Sequence, residues 1–297
     1  MSFKLEYLSA TESFLDPVRA DASDPASARA IVVPFGLEAS VSYGAGTAAG
    51  PAAILAASHQ LELYDDELGC EPYRSYGVAA VREPAIARPI GAALDQLHGI
   101  VEAVLAAGKF PFVLGGEHSL TTAPVRALAR HHSDLVVLQL DAHADLRDGY
   151  QGEPFSHAAA MRRVLDNPNV SLISVGVRAV SAEEVEFYGA NRDRITIHWA
   201  KDQHRWDIDQ IVGGLKGRPA YLTFDIDALD AALMPATGTP TPGGLSFWQA
   251  LAILRRACDT GEVVGADLVE FAPIKGLHAC DYTAAAIAYK MLSYALG

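Results

Sequence analysis

Residues 135–145 read LVVLQLDAHAD. The first six are apolar apart from Gln139, too short for a helix and without the alternation of a half-exposed strand. This is the pattern of a strand covered on both faces. Charged residues begin abruptly at Asp141, so a buried strand runs straight into a polar segment. Seven other short apolar runs share this character, at 30–33, 76–79, 110–114, 171–175, 195–199, 221–224 and 263–268. Eight strands are therefore expected.

Helix-like stretches lie between them. Residues 89–108 carry apolar side chains at helical spacing, open on proline and close on glycine, the usual start and stop. Residues 119–130, 156–165, 181–188, 246–259 and 283–296 also read as helices, four of them opening at a serine suited to N-capping. Thr283 and Asp281 are expected to cap the last one. Strand–helix alternation points to an α/β protein with a mainly parallel sheet and helices on both faces. The Pro/Gly-rich residues 235–244 read as a loop, and no repeat or linker divides the 297 residues, so one domain over 1–297 is expected.

Composition narrows the function. Half of the residues are hydrophobic and a fifth are charged. No run reaches the roughly 18 apolar residues of a membrane helix, and the opening MSFKLEYLSA lacks a leader's apolar stretch. A cytoplasmic protein is expected. The net charge of −13 disfavours nucleic acid and anionic membranes and suits a cationic ligand. Cys70, Cys258 and Cys280 form no C-x-x-C pair and read as small buried thiols.

Ligands of open α/β sheets bind beyond the carboxyl ends of the strands, and four strands end there in polar groups. The third leads into Gly115-Gly116-Glu117-His118-Ser119, the fourth into Asp141-Ala142-His143-Ala144-Asp145, the seventh into Asp225-Ile226-Asp227 and the eighth into Glu270. In extended backbone, alternate residues face one side, so Asp141, His143 and Asp145 can converge, as can Asp225 and Asp227. Four crowded carboxylates repel and raise one another's pKa, and divalent metals relieve that. Two imidazoles and four carboxylates suit two ions if two aspartates bridge. Oxygen-rich ligation without thiolate favours Mn²⁺. Each piece alone has a plainer reading, since Asp-x-Asp is often a turn device and a glycine pair can be a packing turn. Their joint occurrence, each after its own strand, favours the metal site.

At these residues the chain resembles the ureohydrolases, the family of arginase and agmatinase. GGEHS at 115–119, LDAHADLRD at 140–148 and FDIDALDAALMPATGTPTPGGLS at 224–246 stand in the family's order, joined by VVGADLVEFAP at 263–273 and VSYGAGTAAGPAAI at 41–54. The likeness runs from about residue 30 to 295 and is closest to the agmatinase branch. It implies a three-layer α/β/α domain around an eight-stranded, mainly parallel sheet, two Mn²⁺ per subunit and a homo-oligomer, a trimer or hexamer. His118, Asp141, Asp145 and Asp225 would hold one manganese. Asp141, His143, Asp225 and Asp227 would hold the other. His157 matches the family's proton shuttle, and Glu270 the glutamate that receives the guanidinium. Asp227, close to the nucleophile, would accept or relay its proton.

The implied reaction removes urea from a small cationic guanidino compound. Between Asp145 and His157 the segment lacks the asparagine that arginases place there for an α-carboxylate. Asp148 and Glu153 are expected to meet an amine instead, whereas Arg147 would suit a carboxylate. The balance favours agmatine, cleaved to putrescine and urea in polyamine biosynthesis. N1-aminopropylagmatine ureohydrolase, guanidinobutyrase and formiminoglutamase activities are the alternatives within the family. A single-zinc deacetylase is disfavoured by the extra ligands His118 and Asp145. A non-catalytic paralogue is disfavoured because no ligand position is missing. His59, His98, His131, His132, His198, His204 and His278 lack partner spacing and read as structural. Trp199, Trp206 and Trp248 read as packing, and Asp65-Asp66-Glu67 as a solvated loop.

Overall fold

A computed structural model describes residues 4–15 and 24–297. Met1, Ser2 and Phe3, the start of the segment read for a leader, lie outside the described residues. All eight expected strands form: β1 (Ala30–Phe35), β2 (Val78–Ala80), β3 (Phe110–Gly115), β4 (Leu135–Leu140), β5 (Val170–Val177), β6 (Ile195–Trp199), β7 (Pro219–Asp225) and β8 (Glu262–Val269). They make one sheet in the order β2-β1-β3-β8-β7-β4-β5-β6, and every pairing is parallel. The four strands that lead into the polar groups, β3, β8, β7 and β4, are therefore neighbours at the centre.

Nine α-helices are found among the described residues: α1 (Gly50–Ser58), α2 (Tyr73–Tyr76), α3 (Ile90–Ala106), α4 (Thr122–Leu128), α5 (Ala160–Val164), α6 (Ala182–Ala190), α7 (Ile208–Val212), α8 (Phe247–Thr260) and α9 (His278–Leu296). Strand residues alternate between two cores. On β1, Ala30 and Val32 join the core with Ile54 of α1, Leu254 of α8 and Ile287 of α9. Ile31 and Val33 join Leu97 and Val101 of α3 on the other side. Further along the sheet, Leu135 and Val137 of β4 meet Val125 of α4 and Met161 of α5. Both faces are covered, which is why the strands read as unbroken apolar runs.

Ser181 and Ser246 cap α6 and α8 through full capping boxes with Glu184 and Gln249. The last helix departs from expectation. It begins at His278, so Asp281 lies in its first turn rather than capping it, and the Thr283 hydroxyl donates to the Ala279 carbonyl inside the helix. Residues 76 and 77 belong to the end of α2 and its glycine cap, not to β2. No helix among the described residues is long and apolar enough to cross a membrane.

Candidate metal centre and cleft

Past β4 and β7 the chain converges on the site by turns rather than by extended backbone, which corrects the geometry expected from sequence. Asp141 Oδ1 accepts the His143 N–H at 2.6 Å, and Asp145 adopts the left-handed region with φ 54°. After β7, Asp225 Oδ1 accepts the Asp227 N–H at 2.8 Å and opens a 3₁₀ turn over Ile226–Ala228. The turn device and the ligand cluster are thus the same residues.

The side chains gather as expected. His118 enters on a 3₁₀ turn after β3. Its Nδ1 lies 3.0 Å from Asp141 Oδ2, 3.0 Å from Asp145 Oδ2 and 3.4 Å from Asp225 Oδ2. His143 Nδ1 lies 3.0 Å from Asp227 Oδ2 and 3.6 Å from Asp141 Oδ1. Two groups have donor atoms close enough to share an ion, His118 with Asp141 and Asp145, and Asp141 with His143 and Asp227. Asp141 is common to both. Asp225 stands outside these two tightest groups, against His118 and Asp227.

His118 tests whether the residues fit metal. Its Nε2 is 2.9 Å from Thr223 Oγ1, while the buried Nδ1 has no hydrogen-bond partner and faces three carboxylate oxygens. A nitrogen lone pair among anionic oxygens is stable only around a cation. In the protein alone, protons take that role. Burial, then the Asp141 charge, raises the Asp145 carboxyl to about 7. Burial, then the charges of Asp227 and Asp141, holds Asp225 well above the carboxylate range. Burial opposes protonation of His143, yet Asp227 and Asp141 raise it to about 12. The donor set fits two hard or borderline dications.

A second layer fixes these ligands. Gln139 Nε2 donates to Asp141 Oδ2 at 2.7 Å and is itself held by Ser174 Oγ at 2.6 Å. The Ala142 N–H donates to Asp227 Oδ1 at 3.0 Å. Arg178 donates to the carbonyls of Asp227 and Thr241 at 2.7 and 2.6 Å, pinning the loop after β7.

Glu270 sits at the end of β8, also left-handed, with φ 62°. Its N–H donates to the Gly116 carbonyl at 2.8 Å, and its Oε1 accepts the His118 N–H at 2.6 Å. Burial raises this carboxyl to about 8. Gly116 itself packs against the Leu37 backbone, where a Cβ would lie 2.0 Å from the Leu37 carbonyl oxygen. His157 follows Ser156, whose side chain accepts the Ala158 N–H. Burial lowers the His157 pKa.

These groups floor a cleft of about 170 Å³ lined by His143, Asp145, Asp225, Asp227, His157 and Glu270. His118 and Asp141 lie beneath it, buried. The outer wall is Tyr43, Arg147, Tyr150 and Thr239. Asp148 and Glu153, expected to meet the substrate's tail, are not among the residues that line this cleft. Asp148 Oδ1 receives Arg163 at 2.5 Å. Glu153 Oε1 accepts the Phe155 N–H at 2.9 Å, and the residue borders a neighbouring hollow. Arg147 does reach the cleft, its guanidinium 5.0 Å from the Tyr150 ring centroid and 3.9 Å from Glu184.

Other side chains settle elsewhere. His59 meets the Ser13 carbonyl and His131 meets Glu102. Asp65 is buried beside Lys290, 3.0 Å away, so the acidic run is partly an anchored corner rather than a solvated loop. Cys70 is exposed, and Trp248 is 60% exposed, against the readings of buried thiol and packing. Sequence reasoning missed Glu117, Ser40, Tyr43 and Tyr150. Glu117 stood inside a quoted motif, but Ser40 belonged to no pattern that signals chemistry.

Comparison with known proteins agrees with this geometry. Residues 28–294 match the model of the arginase family. The N(1)-aminopropylagmatine ureohydrolase of Synechocystis sp. is 36% identical over 280 residues, 91% of this chain and 90% of that protein. The agmatinase of Bacillus anthracis is 37% identical over 272 residues, 85% of this chain and 87% of that protein. The agmatine ureohydrolase of Thermoplasma volcanium, a solved structure, superposes with a TM-score of 0.83 at 30% identity, covering 93% of both chains.

Proposed function

The chain belongs to the arginase family, and from that premise we propose that it is a two-manganese amidinohydrolase converting agmatine to putrescine and urea. The observation that carries the reading is the pair of carboxylate–imidazole groups sharing Asp141, on the floor of a cleft that also holds Glu270 and His157. His118, Asp141, Asp145 and Asp225 would hold one ion, and Asp141, His143, Asp225 and Asp227 the other. When bound, such ions acidify water toward a pKa of about 7 and act as Lewis acids.

The protein's own groups supply the rest. A guanidinium is a poor electrophile because resonance spreads its charge, so it must be oriented as well as attacked. Glu270 provides the carboxylate that receives it. The cation's charge offsets the burial that otherwise keeps this carboxyl protonated. Asp227, on the cleft wall, accepts or relays the proton of the attacking water. His157, half-buried beside open cleft, passes a proton between solvent and the reacting centre, so that the amine leaves neutral and urea is released.

With Asp148 and Glu153 outside the cleft lining, the tail's ammonium is received by the ring face of Tyr43, a cation–π contact, and by water at the mouth. Arg147 is drawn off by Glu184 and its stack on Tyr150. A longer tail is the second reading. Tyr43 is 86% exposed at the rim, so the cleft opens outward toward space for an aminopropyl extension, the substrate named for the Synechocystis relative.

The test is urea release by Mn²⁺-loaded protein from agmatine, N1-aminopropylagmatine, arginine and guanidinobutyrate in parallel. Preference for agmatine is expected. Preference for the aminopropyl compound moves the conclusion to the second reading. Preference for guanidinobutyrate assigns Arg147 to a carboxylate, and no urea from any compound overturns the reaction.

A further inference from the structure

His157 is held from behind by a short chain of hydrogen bonds that no ligand or substrate role accounts for. It begins at Glu117, buried and aimed away from the metal groups. Its Oε2 accepts the N–H groups of Ala39 and Ser40, each at 2.6 Å. Its Oε1 accepts the Ser40 hydroxyl at 2.8 Å and the Ser119 hydroxyl at 2.6 Å. The Ser40 Oγ then meets His157 twice, at the backbone N–H (2.9 Å) and at the ring Nδ1 (3.1 Å).

Hydrogen-bond accounting decides where the ring proton sits. A serine hydroxyl has one proton and two acceptor positions. The proton is engaged with the Glu117 carboxylate, the strongest acceptor within reach. One acceptor position is taken by the His157 N–H. Only the second remains for Nδ1, so Nδ1 must be the donor. The ring has two other neighbours: the Ser40 carbonyl, which can only accept and so also calls for a ring N–H, and Ser156 Oγ, 3.5 Å from Nδ1, at the limit of a hydrogen bond. The Nε2 atom makes no hydrogen bond to any described residue, and the ring lines the cleft.

We propose that Ser40, braced by Glu117, is a positioning residue that holds His157 in the Nδ1-protonated tautomer, leaving Nε2 as the atom that takes and gives the proton at the reacting end. Neutral imidazole in water favours the opposite tautomer, so the hydroxyl imposes a choice the ring would not make alone. The brace also ties the residue 36–46 loop, which supplies Tyr43 to the cleft, to the turn that carries His118. The inference rests on the role given to His157 under the proposed function, but it concerns a feature of the protein that can be observed without turnover.

The experiment is two-dimensional long-range ¹H–¹⁵N correlation on metal-stripped, ¹⁵N-histidine-labelled full-length protein above pH 8. The His157 signals are identified by their loss in His157→Gln. Wild type and Ser40→Thr are expected to give the Nδ1–H pattern, and Ser40→Ala the Nε2–H pattern. In the metal-loaded enzyme, Ser40→Ala should lower kcat by roughly 10–100-fold with KM within about twofold and metal content unchanged, and Ser40→Thr should restore most of it. The backbone N–H groups of residues 39 and 40 still reach Glu117 in Ser40→Ala, so the loop keeps its anchor. A wild-type Nε2–H tautomer, or an Nδ1–H tautomer retained in Ser40→Ala, overturns the proposal. Absence of urea from every guanidine, with the tautomer switching as stated, supports the positioning inference and rejects the reaction instead.

Discussion

Asp225→Asn separates the two things the central carboxylates do, and the structure sets the size of the effect. Burial, and then the charges of Asp227, Asp141 and Glu270, holds the Asp225 carboxyl well above the usual range. In the metal-free protein this favours the neutral acid, of which asparagine is nearly an isostere. The amide oxygen can still accept the Asp227 N–H that Asp225 Oδ1 accepts at 2.8 Å. Metal-free stability should change by less than about 1 kcal/mol, the scale of one neutral hydrogen bond. Metal binding tells a different story. An ion at 100 times its Kd adds about 2.7 kcal/mol to the native state, so two ions add about 5 kcal/mol. At roughly 2 °C per kcal/mol for a chain of this size, wild type should gain about 10 °C in Tm on saturation with Mn²⁺. If Asp225 bridges two ions as proposed, asparagine should bridge them poorly and leave a gain below about 3 °C, with urea release abolished. The pH dependence carries the same sign. Asp145 and Glu270 are raised to about 7 and about 8 by burial and neighbouring charge, and His143 to about 12 despite its burial. The folded state then binds more protons than the unfolded, and stability falls with rising pH. Among the carboxyls of the metal groups, Asp141 is displaced downward. Metal-free wild type should accordingly be more stable near pH 5.5 than near pH 8.5, and metal should remove that slope. Differential scanning fluorimetry with and without Mn²⁺, beside metal analysis, reads all of this. A full thermal gain and full activity in Asp225→Asn would refute the reasoning.

Two further substitutions probe the cleft. His157→Ala should lower kcat by about 10²–10⁴-fold with two metals still bound. Because burial depresses the His157 pKa below its ordinary value, the acidic limb of the wild-type kcat profile should lie below pH 6.5, and it should vanish in the variant; a limb that survives unchanged belongs to another group. Asp148→Ala should leave kcat/KM for agmatine within about twofold, since the carboxylate is paired with Arg163 and lies outside the cleft lining, and a tenfold loss would return Asp148 to the substrate's tail.

Much of this architecture was legible because it follows from local rules. Strands buried on two faces cannot hide their unbroken apolar runs, and Ser181 and Ser246 announce their helices through capping boxes. What escaped was whatever lacks a local signal. The alanine-rich α1 is short and nearly uniform in polarity, so it presents no stripe. The first turn of α9 follows Leu277, which makes no side-chain cap, so nothing in the sequence marks its start before Thr283. Strand order is set by packing between distant segments, and only the structure makes β3, β8, β7 and β4 neighbours. At the site, the two-residue spacing of the aspartates was a true signal joined to a wrong backbone geometry. A sequence gives charge but not direction, so it could not show that Asp148 pairs with Arg163 and Glu153 with the Phe155 N–H. Ser40 was invisible because its importance lies in two partners, Glu117 and His157, that are 77 and 117 residues away.

The backbone at the site shows how the fold tolerates such crowding. Only four described residues other than glycine have positive φ, and two of them are Asp145 and Glu270. A left-handed conformation costs a non-glycine residue about 1–3 kcal/mol and persists only where the surroundings over-determine it. Here they do. Glu270 is fixed at both ends, its N–H on the Gly116 carbonyl and its carboxylate on the His118 N–H. Asp145 is held by its carbonyl, which accepts the Arg162 N–H at 3.0 Å. Each twist turns a carboxylate off the line of its strand and into the cleft, where like charges oppose it. Neither feature stabilises the metal-free chain. Both are what a site needs if its ligands are to stand in place before the ions arrive, so that little binding energy is spent on rearrangement. The destabilised, proton-filled cluster and the strained turns are thus one design, and the thermal gain on metal binding measures how much of that tension the ions release.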